Sequence, residues 1–359
     1  MNALQTLIVA EIDRGGPIPF SAYMELALYH PVLGFYADGG AGRRRDFITS
    51  PEVGPLFGAV VAQAVDAWWD ELGRPDSFTF VDAGAGPGSL ARTVGRCELR
   101  CRDALNYVAV EVSAVQRERH PDGVVSTDAM PKSFGAGVIF ANELLDNLPF
   151  DIEAWDGRTQ QWSEVRVGFD GDHLVEVSVP TDEPFFGDLQ SVGQYPDHPV
   201  RTPVHRHART WWRDAVASVD RGWVVAIDYG RPLLSWPDQD DWLRTYSDHG
   251  LAGSALVEPG TKDITTDVYW QQIAAMPGRR AQSSHSFDTQ ADWLQRYGIG
   301  ELVEAGRDYW QSHAAAPDLK AIEMRSRVGE AEALLDPTGL GAFDVFTHRV
   351  LDGRPPDRS

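Results

Sequence analysis

A glycine-rich turn between an apolar run and a helical segment constrains the fold more than any other feature of this chain. Phe78–Val81 is a short apolar run that ends in Asp82, and residues 83–88 read Ala-Gly-Ala-Gly-Pro-Gly. Glycines allow the backbone to turn sharply and a ligand to approach without a Cβ in the way. The helix predicted over Ser89–Arg96 offers free N–H groups at its N-terminus. This order predicts an α/β domain that binds a ligand at the turn.

Further short apolar runs extend this pattern along the chain. Buried apolar strands that alternate with helices indicate a parallel sheet covered on both faces. The predicted fold class is therefore α/β, with a Rossmann-like, mostly parallel sheet flanked by helices. The runs are Tyr107–Val110, Val124-Val125, Val138–Phe140, Trp223–Ile227 and, as a last strand, Phe343–Val350.

Three regions depart from this alternation. Residues 1–75 read as helical and irregular, and their clearest element is a helix over Pro51–Leu72 with apolar residues at helical spacing. Between residues 150 and 180 the apolar period is two, which predicts an antiparallel β insertion. Residues 265–332 read as helices, with Asp288 as an N-cap.

These patterns divide the chain into four predicted regions, three of which would wall a cleft around the α/β core. A helical N-terminal extension takes residues 1–75. The α/β core takes residues 76–150 and 221–260 together with 340–352. A β-rich insertion takes residues 151–220, and a helical cap region takes residues 261–339.

Charge and composition limit the classes of binding partner and the cellular compartment that the sequence predicts. Lys plus Arg is 32 and Asp plus Glu is 53, a net charge of −21, which predicts no nucleic-acid partner and no anionic membrane. Cys97 and Cys101 have no nearby Cys or His pair, so we predict no metal site. The N-terminus reads without a signal peptide and no long apolar run follows, which predicts a cytoplasmic protein. An exposed face rich in the 12 tryptophans would be compatible with a homodimer.

Acidic residues after the turn indicate the class of ligand. The dinucleotide pattern Gly-x-Gly-x-x-Gly fails because Ser89 takes the place of its third glycine. Glu111 ends the next strand, where a carboxylate can accept both ribose hydroxyls, and Asp128 follows the strand after that. These features predict a nucleoside cofactor. The turn itself consists of an acid and three glycines at alternate positions: Asp82, Gly84, Gly86 and Gly88.

Several sequence blocks between about residue 17 and residue 270 occur in the same order as in one family. They include Asp46–Glu52 (Asp-Phe-Ile-Thr-Ser-Pro-Glu), Ala141–Pro149, Ile227–Gly230, Leu243–Tyr246 with His249, and Asp263–Val268. With the glycine turn, they resemble the MidA family of S-adenosylmethionine-dependent methyltransferases, which includes a mitochondrial assembly factor of respiratory complex I. The chain departs from the family pattern at Arg45, where the family has glycine, and at Val268-Tyr269-Trp270, where it has Val-Asp-Phe.

The resemblance implies a class I methyltransferase fold and S-adenosylmethionine as the cofactor. The glycines of the turn would shape the pocket for its methionine part, Glu111 would hold the ribose and Asp128 the adenine. Asp82 and Asn142 complete the predicted cofactor contacts. The mitochondrial member of the family acts as a protein arginine methyltransferase, so the resemblance also implies an arginine of a partner protein as methyl acceptor.

An arginine acceptor would need a carboxylate in the site, because a guanidinium stays charged at any working pH. Glu143 follows the fourth strand, at the sheet edge where open α/β sheets bind ligands. The candidate catalytic residues are Asp46, Glu143, Asp146 and Asp228. The candidate pocket residues are Thr49, Ser50, Glu52, Tyr229 and His249.

Several of these residues also fit structural roles. Glu52 fits an acid in the first turn of a helix, and Asp146 fits a helix cap. Asp228 with Tyr229 fits ordinary packing, and His249 fits a buried, hydrogen-bonded histidine.

The function itself also leaves alternatives open. The second candidate is methylation of a small-molecule oxygen or nitrogen. The third is an assembly or scaffold protein that binds the cofactor without catalysis. An open cleft lined by acids favours the arginine hypothesis, and a closed apolar cavity favours the small molecule.

Overall fold

The structure is a computed structural model that describes residues 1–37, 49–185, 196–231, 241–247, 250–274 and 284–351 of the 359-residue chain. None of the helices in these ranges combines the length and the hydropathy that a membrane span requires. The α-helices are α1 (Ala3–Gly15), α2 (Phe20–Tyr29), α3 (Ser50–Val53), α4 (Pro55–Glu71), α5 (Ser89–Arg96), α6 (Ala114–Arg117), α7 (Arg206–Ser218), α8 (Trp270–Ala274), α9 (Gln290–Arg296), α10 (Ile299–His313) and α11 (Leu319–Leu334).

The β-strands of the same ranges form four sheets. They are β1 (Ile18–Pro19), β2 (Phe78–Ala83), β3 (Leu105–Val110), β4 (Val125–Thr127), β5 (Phe134–Asn142), β6 (Asp151–Asp156), β7 (Gln161–Phe169), β8 (Leu174–Pro180), β9 (Val200–Val204), β10 (Val219–Asp228), β11 (Gly230–Arg231), β12 (Leu243–Ser247), β13 (Gly250–Leu251), β14 (Asp263–Thr266), β15 (Val268–Tyr269), β16 (Ser284–Thr289) and β17 (Asp344–Val350).

The chain divides into two compact units, each assembled from separate stretches of sequence. The first unit consists of Met1–Phe47, Leu145–Arg213 and Gly230–Met276. The second unit consists of Ile48–Leu144, Asp214–Tyr229 and Pro277–Ser359.

A seven-stranded sheet forms the centre of the second unit, in the order β16-β17-β10-β5-β2-β3-β4. From β10 to β4 all neighbouring strands are parallel, whereas β17 is antiparallel to both of its neighbours. From β2 the chain passes outward to β3 and β4, and it then returns to add β5 and β10 on the other side. The order therefore reverses between β2 and β5, and ligands of open α/β sheets bind at such a switch point. This topology confirms the predicted α/β fold.

The apolar runs became strands because both faces of this sheet are covered. Phe78 and Phe80 of β2 lie on one face of the strand and Val81 on the other, and all three are buried. The predicted helix Ser89–Arg96 has the same bounds as α5. Helix α6, which follows Glu111, has only four residues.

The single helix predicted over Pro51–Leu72 is wrong, because the structure divides it into α3 and α4. Gly54 between them is extended, with φ 162° and ψ −176°. Pro55 disfavours a helical conformation of the residue before it and has no amide hydrogen to donate. The first N–H of α4 that could be left without a partner, that of Leu56, donates to Glu330 Oε2 at 2.8 Å.

Aromatic side chains form much of the core on the α4 side of this sheet. The Trp68 ring lies 6.1 Å from the Trp223 ring and 6.2 Å from the Trp293 ring, centroid to centroid, and Tyr297 packs edge-on at 5.6 Å. Trp68 is only 3% exposed. Burial of one such side chain stabilises the fold by about 1.5–3 kcal/mol, so this helix is fixed firmly against the sheet.

The first unit contains the antiparallel sheet that the period-two pattern predicted. Strands β1, β7, β6 and β9 pair in that order, with β8 also on β7, and all of these pairs are antiparallel. Helices α1 and α2 contribute apolar side chains to a core shared with β6, β7 and β14, including Phe20, Tyr23, Ile152 and Ile264.

The prediction of helices throughout residues 265–332 is wrong in its first part. Strands β15 and β16 and the short helix α8 precede α9. Asp288 lies inside β16, opposite Val345 of β17, and is not an N-cap. Strand pairing continues through Thr289, which therefore caps α9 instead, and its hydroxyl accepts the N–H of Asp292 at 3.1 Å. The Asp288 carboxylate pairs with Arg296 at 2.6 Å.

Candidate active site

The glycine turn leaves β2 at the switch point of the sheet and leads into α5. Gly84, Gly86 and Gly88 all have positive φ, at 74°, 53° and 79°. A side chain would be strained at each position, and a Cβ on Gly84 would lie 3.1 Å from Leu144 Cδ1. The turn therefore presents bare backbone beside the N-terminus of α5.

Strand β3 holds this turn in place from one side. The N–H groups of Gly84 and Ala85 both donate to the carbonyl of Val110, each at 2.9 Å. The His120 ring nitrogen Nε2 lies 2.9 Å from the carbonyl oxygen of Gly86. The backbone of the turn is thus fixed before any ligand arrives.

Glu111 ties the turn to the end of β3. Its Oε2 accepts the N–H of Gly86 at 3.0 Å, and its Oε1 accepts the N–H of Ser113 at 2.8 Å. Burial raises the pKa of this carboxyl above its ordinary value, and the two N–H donors oppose that rise. Each carboxylate oxygen has a second lone pair, so the group can still accept ribose hydroxyls.

Asp82 lies in β2 directly below the turn and is 3% exposed. Its Oδ2 accepts the hydroxyl proton of Tyr107 at 2.9 Å. Burial raises the pKa of Asp82 to about 7, against the opposing effect of the Tyr107 hydrogen bond. In this structure Asp82 therefore supports the sheet beneath the turn, and its predicted cofactor contact stays a prediction.

Two buried polar atoms near the turn have no hydrogen-bond partner among the described residues. They are Ser113 Oγ and Gln116 Oε1, and Gln116 is 1% exposed. A Cβ added to Gly86 would lie 3.3 Å from Gln116 Oε1, so the amide oxygen faces the turn. The sequence analysis missed both residues, because a serine and a glutamine after a strand carry no distinctive pattern.

Asn142 and Glu143 lie at the carboxyl end of β5, the strand on the other side of the switch point. Glu143 Oε1 accepts two hydrogen bonds, from Asn142 Nδ2 at 2.8 Å and from the N–H of Ser50 at 3.1 Å. The N–H of Glu143 itself donates to the carbonyl of Ile227 in β10 at 2.8 Å. The structure thus brings together three predicted site residues from distant parts of the sequence.

The backbone of Glu143 is strained. Its φ is 52°, in the left-handed region that favours glycine. A residue held in such a conformation costs about 1–3 kcal/mol, and such residues are found preferentially at functional sites. The contacts that Glu143 makes in the folded protein must offset this cost.

Asp228 and Tyr229 lie at the end of β10, on the same edge of the sheet. Asp228 is fully buried, and its Oδ1 accepts the N–H of Tyr229 at 3.0 Å. The Tyr229 ring lies 5.4 Å from the Phe343 ring. These contacts fit the alternative given in the sequence analysis, in which Asp228 and Tyr229 serve ordinary packing. A catalytic role for Asp228 stays a prediction.

The first unit contains Asp146, which is 4% exposed. Its Oδ2 accepts the hydroxyl proton of Thr265 at 3.0 Å, and its carbonyl accepts the N–H of Thr266 at 3.2 Å. The alternative role as a helix cap is wrong, because residues 143–150 form turns without a helix.

The remaining predicted residues occupy varied positions. Thr49 precedes α3 as its N-cap, and its carbonyl accepts the N–H of Glu52 at 2.8 Å. Glu52 is exposed in the first turn of α3, which agrees with its alternative role as an acid at a helix N-terminus. Asp128 is exposed just after β4. Asp46 and His249 lie outside the described residues.

The second unit fits the predicted S-adenosylmethionine. The glycines keep side chains away from the turn, and Ser113 and Gln116 supply buried acceptors beside it. Glu111 keeps lone pairs for hydroxyl groups at the end of the neighbouring strand. Within the described ranges, no group of three or more His, Cys, Asp and Glu side chains could hold a metal ion.

Comparison with known proteins points to the same chemistry. A family model of S-adenosyl-L-methionine-dependent methyltransferases matches residues 60–287. The chain is 26% identical over 387 residues to the mitochondrial protein arginine methyltransferase NDUFAF7 of Homo sapiens, covering 96% of this chain and 84% of that protein. It is 28% identical over 316 residues to the NDUFAF7 homologue of Drosophila melanogaster, covering 76% of this chain and 69% of the relative.

A solved structure shares the fold and holds the demethylated form of the cofactor. A Burkholderia thailandensis protein bound to S-adenosyl-homocysteine is 27% identical, with a TM-score of 0.77 over 97% of this chain and 92% of that protein. The predicted class I methyltransferase fold and the predicted cofactor, S-adenosylmethionine, are confirmed by these similarities.

The prediction of a cytoplasmic location is wrong, because the same comparison contradicts it. The curated relatives from Drosophila melanogaster, Mus musculus and Homo sapiens are mitochondrial proteins. The reasoning failed because it rested on a pattern that was not found at the N-terminus, and such an absence does not determine a compartment.

Proposed function

The chain belongs to this family of S-adenosyl-L-methionine-dependent methyltransferases, and we propose that its methyl acceptor is an arginine side chain of a partner protein. The observation that carries the proposal is the Glu143 carboxylate, held at the switch-point edge of the sheet by the N–H of Ser50 and the amide of Asn142. Relatives named protein arginine methyltransferases support it.

A carboxylate at this place suits a guanidinium acceptor for two reasons. Guanidinium is planar, always charged and rich in N–H donors, and a carboxylate binds it with directional, charge-assisted hydrogen bonds. Methyl transfer also requires the acceptor nitrogen to lie in line with the methyl–sulfur bond, so orientation contributes much of the rate. When bound, the cofactor supplies the electrophilic methyl group on its sulfonium.

Glu143 would act on the acceptor, whereas the glycine turn and Glu111 would act on the cofactor. Glu143 Oε1 accepts hydrogen bonds from Ser50 and Asn142, which holds the carboxylate at this edge of the sheet, and a carboxylate can accept several donors. The carboxylate would then hold the guanidinium and stabilise its charge while the methylated nitrogen gives its proton to water. The net charge of −21 would also attract a basic segment of a partner protein.

The test is methyl transfer from radiolabelled S-adenosylmethionine to arginine-containing peptides and to a cell lysate. We expect label on arginine, and we expect Glu143→Gln to lower kcat about 100-fold, because the amide keeps the shape but loses the charge. Glu304, an exposed residue of α10, gives the matched control Glu304→Gln, which should leave kcat unchanged.

Three outcomes separate the alternatives. Label on arginine that depends on Glu143 supports the proposal. Label only on small metabolites refutes the arginine acceptor and favours the small-molecule alternative. Binding of S-adenosylhomocysteine by calorimetry without any transfer in lysate refutes catalysis and favours the scaffold alternative.

A further inference from the structure

Gln290, the first residue of α9, is fully buried and makes three hydrogen bonds. Its N–H donates to the carbonyl of Phe343 at 2.7 Å, and its Nε2 donates to the carbonyl of Leu334 at 3.3 Å. Its Oε1 accepts the hydroxyl proton of Ser50 at 2.9 Å. Since only the amide nitrogen can donate to a carbonyl, the contact with Leu334 requires the amide oxygen to face Ser50.

Ser50 connects Gln290 to Glu143. It is fully buried, its hydroxyl donates to Gln290, and its backbone N–H donates to Glu143 Oε1 at 3.1 Å. Ser50 begins α3, a helix of four residues, and the N-cap Thr49 makes no side-chain hydrogen bond to it within the part of the chain described. The contact with Gln290 therefore restrains the first turn of α3.

The restraint on Ser50 bears on Glu143, because the Ser50 N–H donates to the Glu143 carboxylate. The Ser50 N–H and the Asn142 amide both donate to Oε1 of this carboxylate and so contribute to its direction. A shift of α3 would move the Ser50 N–H and would let the carboxylate turn. Displacements of this kind, far from the chemistry, can lower a rate substantially.

We infer that Gln290 is a positioning residue for methyl transfer, which acts through the Ser50 hydroxyl to hold the Ser50 N–H against the Glu143 carboxylate. The inference rests on the proposed role of Glu143 toward the acceptor. Loss of Gln290 should therefore lower kcat. The affinity for the cofactor depends on the glycine turn and should not change.

The chain offers a matched control in Gln272 of the first unit. This glutamine is also fully buried, its Nε2 donates to the carbonyl of Pro203 at 2.8 Å, and its Oε1 accepts the N–H of His205 at 2.8 Å. Gln290→Met and Gln272→Met thus remove the same kind of buried amide from the two units. A merely structural role for Gln290 predicts similar effects of both substitutions.

The experiment compares both variants with the full-length wild-type protein by three measurements. We expect Gln290→Met to lower kcat on an arginine peptide by about 10- to 100-fold and to leave the Kd for S-adenosylhomocysteine within about twofold. Hydrogen exchange of the peptide 49–53 should accelerate in Gln290→Met and not in Gln272→Met. Gln272→Met should lower Tm without lowering kcat of the folded protein.

A second variant tests the route through Ser50. Ser50→Ala removes the hydroxyl and keeps the N–H, and its effect on kcat should not add to that of Gln290→Met in the double variant. Additive effects, or wild-type kcat in Gln290→Met, overturn the inference. Failure of the proposed function gives a different result, because a wild-type protein that labels no arginine refutes that proposal. Hydrogen exchange of peptide 49–53 still tests the link from Gln290 to Ser50 in that case.

Discussion

Asp82 gives a prediction whose size follows from the structure. The carboxyl is buried below the glycine turn, and its pKa is raised from 3.8 to about 7, chiefly by desolvation. A carboxyl whose pKa is raised on folding binds its proton more tightly in the folded state. Its contribution to stability is therefore fully present below the unfolded pKa and is lost as the pH rises through about 7.

The magnitude follows from the difference between the ordinary pKa of 3.8 and the raised pKa of about 7. At about 1.4 kcal/mol per unit, the wild-type protein loses up to about 4 kcal/mol of unfolding free energy between about pH 4 and about pH 8 through this group. Asp82→Asn removes the titration but keeps an oxygen that can accept the Tyr107 hydroxyl. The variant should therefore gain stability over the wild type as the pH rises, by up to about 4 kcal/mol.

The assay is denaturant unfolding of both proteins at several pH values, and the observable is the difference in unfolding free energy. Asp170 provides a control of opposite sign, because the N–H groups of His173 and Asp172 lower the pKa of its carboxyl. Asp170→Asn should destabilise the protein at neutral pH. This loss of unfolding free energy should disappear as the pH falls through the lowered pKa of Asp170. If the difference between Asp82→Asn and wild type does not change with pH, the burial argument for Asp82 is refuted.

Three further predictions concern the turn and the core. Glu111→Ala should weaken S-adenosylhomocysteine binding by one to two orders of magnitude, roughly 1.5–3 kcal/mol, in calorimetry, and unchanged affinity would show that the ribose site is misplaced. Gly86→Val should abolish cofactor binding, because residue 86 has φ 53° and a Cβ there would lie 3.3 Å from Gln116 Oε1; normal binding would contradict the close approach at the turn. Trp68→Ala should lower the unfolding free energy by about 3–5 kcal/mol, since it opens a cavity between aromatic rings, and a loss below about 1 kcal/mol would contradict its place in the core.

Local sequence patterns predicted much of the second unit. The helix α5 was predicted with its observed bounds, and the glycine turn was placed between β2 and α5. These features are local, because an apolar period, a glycine with positive φ and a helix start depend on neighbours within a few residues. The period-two strands of the first unit were predicted for the same reason.

One error arose where a distant segment decided the local structure, and another where a proline interrupted an apolar stripe. Asp288 satisfies the sequence pattern of a helix cap, yet pairing with β17 extends β16 through it and moves the cap to Thr289. The helix over residues 51–72 has one continuous apolar stripe, but Pro55 interrupts it, and Glu330 of α11 supplies the acceptor that the new helix start needs.

The sequence by itself determined the sheet class, the glycine turn and the family, because each depends on residues that lie close together along the chain or in a fixed order. Only the tertiary structure decided which groups meet at the end of β5. Ser50, Glu143 and Gln290 are linked across 93 and 240 positions by hydrogen bonds. Hydrogen bonds of this kind leave no periodic signal, since a buried donor requires only one acceptor at the right distance, whatever its position in the sequence.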